Sequence, residues 1–250
     1  MKRRELMGYA GAGLLASLCT NFTANAQSAS SLSIKWFGHT CFLFTGSGTK
    51  ILTNPFKPGG CTAKYELPNV ATDLVAISSQ LLDEGYVEKL PGSPKLVFEP
   101  GIYKFKGMQI QGIGIDHDRK GGRRFGINTA WLWKQAGIKI LHLGGAAAPI
   151  SIEQKILMGR PDVALIPVGG GPKAYNPQEA KDAIKILNPK LIIPTHYRTQ
   201  AADLQQCNIS PLDEFLNIMQ GVPVKRHNSH TITIRLQDLP ENGAIQVFQL

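Results

Sequence analysis

The sequence lacks the short motifs that mark several large classes of enzyme. It has no GxSxG elbow, no P-loop and no GxGxxG turn, so the usual signatures of serine hydrolases, P-loop nucleotidases and dinucleotide-binding enzymes are absent. Cysteine is also scarce, with four residues in 250, and no two cysteines form a CxxC pair. A zinc knuckle is therefore excluded.

Acidic residues are fewer than basic ones, 18 against 27, and the formal net charge is +9. A basic surface suits nucleic acid, a negative membrane face or an anionic small molecule. Because the N-terminus predicts export, as argued next, no nucleic-acid partner is expected. An anionic small molecule is the favoured ligand.

The N-terminus resembles an export signal. Lys2, Arg3 and Arg4 form a basic start, an apolar stretch follows, and residues 24–26 (ANA) supply the small side chains that precede a cleavage site. The adjacent arginines partly match a twin-arginine signal, which exports folded proteins. The apolar stretch is too short and glycine-rich for a stable membrane span, which takes about 20 apolar residues. We predict a signal over residues 1–26, a flexible lead-in over 27–31 and one domain over 32–250, delivered to the periplasm or a thylakoid lumen.

Three cysteines lie beyond the predicted cleavage site: Cys41, Cys61 and Cys207. An oxidising compartment allows one disulfide and one free thiol. The sequence leaves the pairing open, and it also allows three unpaired cysteines.

The hydropathy pattern changes along the chain. Short apolar or alternating runs predict strands over 32–36, 42–44, 51–52, 74–77, 95–98, 101–105, 108–115, 127–133, 138–143, 163–167, 191–194, 222–224 and 231–234. Helical spacing predicts helices over 151–159, 176–187 and 211–219, the second with Asn176 as N-cap and Pro177 in its first turn. Strands followed by βαβα predict two sheets with helices outside, an αββα sandwich in a single domain.

Several landmarks occur in a specific order: WFGHT at residues 36–40, NPF at 54–56, LHLGG at 141–145, DVALIPVGG at 162–170 and PKLIIPTHY at 189–197. With them the chain resembles the metallo-β-lactamase superfamily, in the branch of the ascorbate-phosphate lactonases and related hydrolases. The resemblance covers roughly residues 32–236. It implies the αββα sandwich of that superfamily.

The resemblance also implies a metal centre, which this chain has largely lost. The family holds two zinc ions, or one transition metal, with a His-x-His-x-Asp-His loop and three later ligands. The corresponding positions here are Ser79, Leu81, Asp83 and Glu84 in the loop, then His117, Gly145 in place of a bridging aspartate, and His196, while Asn54 replaces an early aspartate. The usual dinuclear site is therefore not expected.

The remaining donors predict at most a mononuclear site with Asp83, Glu84, His117 and His196 as ligands, and with Asp83 as the catalytic residue. Zinc or another divalent metal would be the cofactor, and its bound water would attack an ester or lactone. The alternative is a catalytically inactive member that binds a ligand, or is structural, without metal. Asp83 and Glu84 would then be loop acids, and the two histidines hydrogen-bonded remnants of the old cleft.

Residues 119–124 (RKGGRR) place four positive charges on a glycine-rich loop directly after His117 and Asp118. By the resemblance this loop lies near the mouth of the cleft. We predict that Arg119, Arg123 and Arg124, together with His39, bind an anionic substrate. A solvated basic turn is the alternative interpretation.

Overall fold

The computed structural model describes residues 30–249. The predicted signal and residues 27–29 of the predicted lead-in lie outside these residues, whereas Ser31, the last residue of that lead-in, already belongs to the first strand. In the described part of the chain, no helix is long and apolar enough to cross a bilayer.

More of the described residues belong to strands than to helices. The strands are β1 (Ser31–Gly38), β2 (Cys41–Gly46), β3 (Thr49–Thr53), β4 (Leu74–Ala76), β5 (Lys95–Val97), β6 (Gly101–Phe105), β7 (Met108–Asp116), β8 (Ile127–Gln135), β9 (Ile138–His142), β10 (Val163–Pro167), β11 (Leu191–Thr195), β12 (Val224–Arg226), β13 (Thr231–Arg235) and β14 (Ala244–Val247). The α-helices are α1 (Ile152–Met158), α2 (Pro177–Leu187) and α3 (Leu212–Ile218), and single 3₁₀ turns cover Gly60–Thr62 and Leu236–Asp238.

The strands form two sheets. One has six strands in the order β13-β1-β2-β3-β4-β5, and the other has eight in the order β12-β14-β11-β10-β9-β8-β7-β6. Their facing sides share one apolar core, in which the rings of Phe44 and Trp133 meet edge to face at 4.9 Å. The indole N–H of Trp131 donates to the carbonyl of Ile77 at 3.1 Å and so ties the two sheets together. The predicted sandwich is confirmed.

The α-helices pack on the eight-stranded sheet, with α1 against β7 and α2 against α3. At the start of α2, the Asn176 side chain accepts from the N–H of Glu179, and the Glu179 carboxylate accepts from the N–H of Asn176. This capping box satisfies two backbone donors that the helix itself leaves unpaired, so the predicted N-cap is confirmed. On the outer face of the six-stranded sheet, a second apolar cluster is covered by loop side chains including Tyr65, Val70 and Val87.

Two features of the C-terminal region differ from the sequence-based expectation. The predicted strand at 222–224 begins only at Val224, where β12 starts, and β14 was not predicted. The β14 strand lies between β11 and β12 and is parallel to both. Its four residues are too short a segment for an alternating pattern to stand out, so tertiary pairing decides its conformation.

The structure also settles the cysteine pairing. Cys61 and Cys207 form a disulfide between residues 146 positions apart, and Cys41 is buried and free. The disulfide joins the 3₁₀ turn at Gly60–Thr62 to the segment after β11.

Candidate metal centre

The candidate site is built at the carboxyl ends of strands from both sheets. His39 follows β1, His117 follows β7 and His196 follows β11, while Asp83 and Glu84 lie in the loop after β4. Such strand ends meet at one edge of an α/β sandwich, where loops are free to carry polar groups. Residues more than 150 positions apart thus converge.

Three of these side chains form a tight, buried cluster. His39, Glu84 and His196 each offer one ligand atom, and the three atoms lie within 4.8 Å of one another. The two imidazole rings are 4.3 Å apart, and both histidines have left-handed backbones, with φ of 53° and 52°. Non-glycine residues are held in this region only when the surrounding structure demands it, and such residues concentrate at functional sites.

Each residue of this cluster also has a buried side-chain atom without a hydrogen-bond partner. Among residues 30–249, these atoms are His39 Nε2, Glu84 Oε1 and His196 Nδ1. Buried polar atoms are normally paired, so three unpaired atoms in one cluster require an explanation. Two imidazoles and a carboxylate are the protein ligands of one class of catalytic zinc site, which keeps its fourth position open. The cluster therefore fits one divalent ion.

His117 lies beside the cluster rather than in it. Its Nε2 is 3.7 Å from Glu84 Oε2, and in the described residues neither ring nitrogen has a hydrogen-bond partner. The same carboxylate oxygen accepts from the Ser79 hydroxyl at 3.1 Å. Upstream of Ser79, the Asn54 side chain accepts from the N–H of Ser78 at 2.8 Å and so fixes the start of the loop. Asn54 and Ser79 thus orient the carboxylate.

Burial determines the charge state of these groups. It lowers the pKa of His39 and of His117 to about 4, and that of His196 well below its usual value. The imidazoles are therefore neutral at pH 7, the form that binds metals. Burial raises the pKa of Glu84 to about 7.

The position of the family's bridging aspartate has little free space around it. By the resemblance this position is Gly145, and a Cβ there would lie 2.4 Å from His117 Cε1 and 2.8 Å from Glu84 Oε1. Those side chains therefore occupy the space from which a bridging carboxylate would extend. That the dinuclear site is lost stays a prediction.

A cavity of about 490 Å³ opens over the cluster. His39, Asp83, Lys173 and His196 form part of its lining. The disulfide also reaches it, through Cys61. A cavity of this size holds a small molecule.

Comparison with known proteins identifies the family. A family model described as a beta-lactamase superfamily domain matches residues 33–196, more than half of the chain. A solved Thermotoga maritima structure assigned to the metallo-beta-lactamase superfamily is 30% identical, covers 87% of this chain and 98% of its own, and has a TM-score of 0.69. The chain belongs to the metallo-β-lactamase superfamily.

Curated relatives in this superfamily carry the name UPF0173 metal-dependent hydrolase. The one from Methanoculleus marisnigri is 28% identical over 239 residues, which is 86% of this chain and 97% of the relative. The one from Thermoplasma volcanium is 26% identical over 190 residues, or 67% of this chain and 84% of the relative. The sequence resemblance to the superfamily is thereby confirmed.

Asp83, the aspartate retained from the family's metal-binding loop, is paired with a lysine. The Lys173 ammonium donates to both carboxylate oxygens of Asp83, and Asp83 Oδ2 is 3.8 Å from His39 Nε2. Burial would raise the pKa of Asp83, but the Lys173 charge and its hydrogen bonds hold it at about 2. Asp83 is thus an anion paired with a cation. That it ligates a metal or acts in catalysis stays a prediction.

Sequence reasoning missed Lys173 and gave His39 only a substrate-binding role. The signal that could have found Lys173 is the glycine run at residues 169–171 just before it, because a glycine-rich turn lets the chain approach a cleft closely. His142, by contrast, is a core residue. Its Nε2 donates to the Thr40 carbonyl at 2.9 Å, and its Nδ1 accepts from the N–H of Gly144 at 3.0 Å.

The predicted arginines lie outside the lining of the cavity. Arg119 donates to the Glu179 carboxylate and to the carbonyls of Gly171 and Ala174. Arg123 and Arg124 are exposed, and the Arg124 guanidinium stacks over the Phe125 ring at 4.8 Å. That these arginines bind substrate stays a prediction, although the contacts of Arg119 are structural. Phe125 does line the cavity.

The basic loop is organised around one carboxylate. Asp118 accepts hydrogen bonds from the backbone N–H groups of Lys120, Gly122, Arg124 and Phe125, at 2.7–3.1 Å. Burial would raise the pKa of Asp118, but these four donors lower it to about 2. The loop at residues 119–125 is therefore an ordered turn wrapped around the Asp118 carboxylate, rather than an extended basic segment.

Removing this carboxylate tests that account. In Asp118→Ala, the four amides lose a charged acceptor, and their hydrogen exchange is expected to quicken by about tenfold or more. Residue-resolved exchange measured by NMR is the appropriate readout. Asp116→Ala is the matched control, because it removes a nearby carboxylate that does not hold these amides. Equal exchange rates in Asp118→Ala and the wild type would contradict the wrapped-turn account.

Proposed function

We propose that the protein is an exported metal-dependent hydrolase whose single divalent ion is held by His39, Glu84 and His196. The observation that carries this proposal is the buried cluster of these three side chains, each with an atom that has no hydrogen-bond partner in the described chain. The names of the curated relatives, metal-dependent hydrolases, support the same class of reaction. When bound, such an ion makes its water acidic enough to supply hydroxide near neutral pH.

The chain's own residues would prepare that step. The neutral imidazoles of His39 and His196 present lone pairs, and the Ser79 hydroxyl orients the Glu84 carboxylate. His117 is a neutral base with both ring nitrogens unpartnered in the described chain, and it lies 3.7 Å from Glu84.

The proposed substrate is a small, anionic ester or lactone. The cavity has the size of a small-molecule site, and the net charge of the chain favours anions. The Lys173 ammonium, in the cavity wall, supplies a local positive charge for a carboxylate, a phosphate or the oxygen of a developing oxyanion.

Export is part of the proposal. The Cys61–Cys207 disulfide supports an oxidising compartment, because cytosolic thiols are kept reduced. Together with the signal-like residues 1–26, it favours the periplasm or a thylakoid lumen. The N-terminal residue of protein recovered from that compartment is expected to be Gln27. Protein that retains Met1 and stays in the cytosol would contradict export.

Metal analysis of the mature protein, purified without chelators, tests the main proposal. The wild type is expected to carry or take up about one equivalent of zinc, manganese or iron, and His196→Ala to lose at least tenfold in affinity, since it deletes one of three ligands. His227→Ala is the control, because it removes an imidazole bonded to Gln246 at 2.7 Å, outside the cluster. Ester and lactone hydrolysis should follow the metal content.

A second candidate is a catalytically inactive, ligand-binding member of the superfamily. The pairing of Asp83 with Lys173 favours it, because the one acid retained from the family loop is already neutralised. Wild-type protein that folds, takes up none of these metals and still binds small anions would support this candidate and overturn the first.

A further inference from the structure

Lys173, which pairs with Asp83, is unusually buried for a lysine side chain. Lys173 is only 15% exposed, and its ammonium bonds both oxygens of Asp83. In the family this aspartate ligates metal. An ammonium group therefore stands where the aspartate of a dinuclear site would meet an ion.

The backbone holds Lys173 in this position. Gly170 and Gly171, two of the residues just before it, have φ of 75° and 78°, a conformation that other residues rarely adopt. A Cβ on Gly169 would lie 2.2 Å from the carbonyl oxygen of His196, so only glycine lets the loop approach the cluster this closely. The glycines at residues 169–171 thus let the loop that carries Lys173 pack closely against the cluster.

Arg119 clamps the same loop on both sides of the lysine. Its guanidinium donates to the carbonyls of Gly171 and Ala174, at 2.9 Å each. It also pairs with Glu179, at 2.6 Å from Nε to Oε1, and Glu179 is fixed by the capping box of α2. Arg119 therefore positions Lys173, and the ammonium is presented to the cleft by a rigid support.

The charges of the site favour one divalent ion at most. The cluster contains one carboxylate, that of Glu84, and Asp83 pairs with Lys173 beside it, whereas one divalent ion together with Lys173 already brings three positive charges. A second divalent ion would add two more, with the bridging carboxylate replaced by Gly145. Like charges at a few ångströms in a buried site repel strongly.

We propose that the Lys173 ammonium is a resident cation that withholds Asp83 from the candidate metal site and so weakens the binding of a divalent ion to His39, Glu84 and His196. This inference rests on the proposed metal site, but its test is separate. The site would then combine one exchangeable divalent ion with one cation that is covalently part of the chain.

The test is calorimetric titration of chelator-treated protein with Zn²⁺ and with Mn²⁺. Lys173→Met removes the charge at similar length and frees Asp83, so its affinity for Zn²⁺ is expected to be at least about tenfold higher than that of the wild type. Lys57→Met is the matched control, because Lys57 lines the same cavity but Lys173, not Lys57, pairs with Asp83. Its Zn²⁺ affinity is expected to stay within about twofold of the wild type.

Thermal unfolding supplies a second readout on the same samples. In EDTA, Lys173→Met is expected to melt below the wild type, because a largely enclosed carboxylate has lost its partner. Added Zn²⁺ should then raise its Tm by more than it raises that of the wild type. If this variant does not fold, Lys173→Gln, which can still donate to Asp83 but carries no charge, takes its place in both measurements.

Each outcome bears on the inference. A wild type that binds one ion while Lys173→Met binds no more tightly overturns the role of Lys173 and leaves the proposed metal site standing. A wild type that binds no ion while Lys173→Met does supports the role of Lys173 and overturns the proposed function. Absence of binding in both proteins overturns both.

Discussion

Replacing both cysteines of the Cys61–Cys207 disulfide with alanine is expected to lower the free energy of unfolding by about 2–5 kcal/mol. The bond closes a loop of 146 residues, so it restricts a large part of the unfolded chain. Three other links join the same segments: the N–H of Asp203 to the carbonyl of Gly60, the N–H of Lys64 to the carbonyl of Ala201, and the hydroxyls of Tyr65 and Thr199. These three hydrogen bonds should keep the native structure intact in the variant. The loss of stability then comes mainly from the larger conformational entropy of the unfolded chain.

Urea unfolding of the two proteins measures this loss, with and without a reductant. The reductant should destabilise the wild type toward the level of the double variant and leave that variant unchanged. Cys41→Ala is the control, because Cys41 is also buried but unbonded, and loss of its sulfur should cost about 1 kcal/mol. A double variant no less stable than Cys41→Ala would show that the disulfide adds little.

Gly145→Ala is expected to lower the free energy of unfolding by about 1–3 kcal/mol and to weaken metal binding together with stability. The added Cβ would lie 2.4 Å from His117 Cε1, and His117 has no room to move because it is fully buried beside Glu84. The collision therefore displaces either the imidazole or the carboxylate ligand. Chemical denaturation and Zn²⁺ titration of the same preparations report the two effects.

Gly59→Ala is the matched control for this substitution. Gly59 also lines the cavity, but a Cβ there would have no atom within 4 Å, so stability and metal affinity should change little. Gly145→Asp restores the family's bridging carboxylate by sequence, yet it meets the same collision and is expected to restore no second ion. A Gly145→Asp protein that binds two zinc ions would show that the site relaxes more than its packing suggests.

Much of the fold follows from local patterns. The runs that became β10 and β11 are continuously apolar because both faces of these strands are buried, and the Asn-Pro start of α2 carries its own cap. The C-terminal strand β14 was missed because its four residues carry too little pattern. Local periodicity therefore predicts the longer strands and helices, in which many consecutive residues follow one pattern of burial.

The residues of the candidate site were only partly predicted from the sequence. His117 and His196 were predicted because each follows a strand that the sequence shows clearly, and the structure places both beside Glu84. His39 was assigned to substrate rather than to metal, and Lys173 was not considered, because the approach of each to the cluster depends on a long-range fold. His39 directly follows the first strand, and Lys173 lies in a loop more than 130 residues later.

The sequence by itself determined the superfamily and the sandwich, since these depend on ordered motifs and strand patterns. It predicts the loss of the ordinary dinuclear centre from the side chains that are absent. Only the tertiary structure decided which remaining groups meet. The local sequence around a histidine, an acid or a lysine does not show which residue it will contact. Electrostatic interactions and metal ligation depend on distances of a few ångströms in space, whatever the separation along the chain. The fold brings His39, Glu84 and His196 to one point, and it commits Asp83 to Lys173.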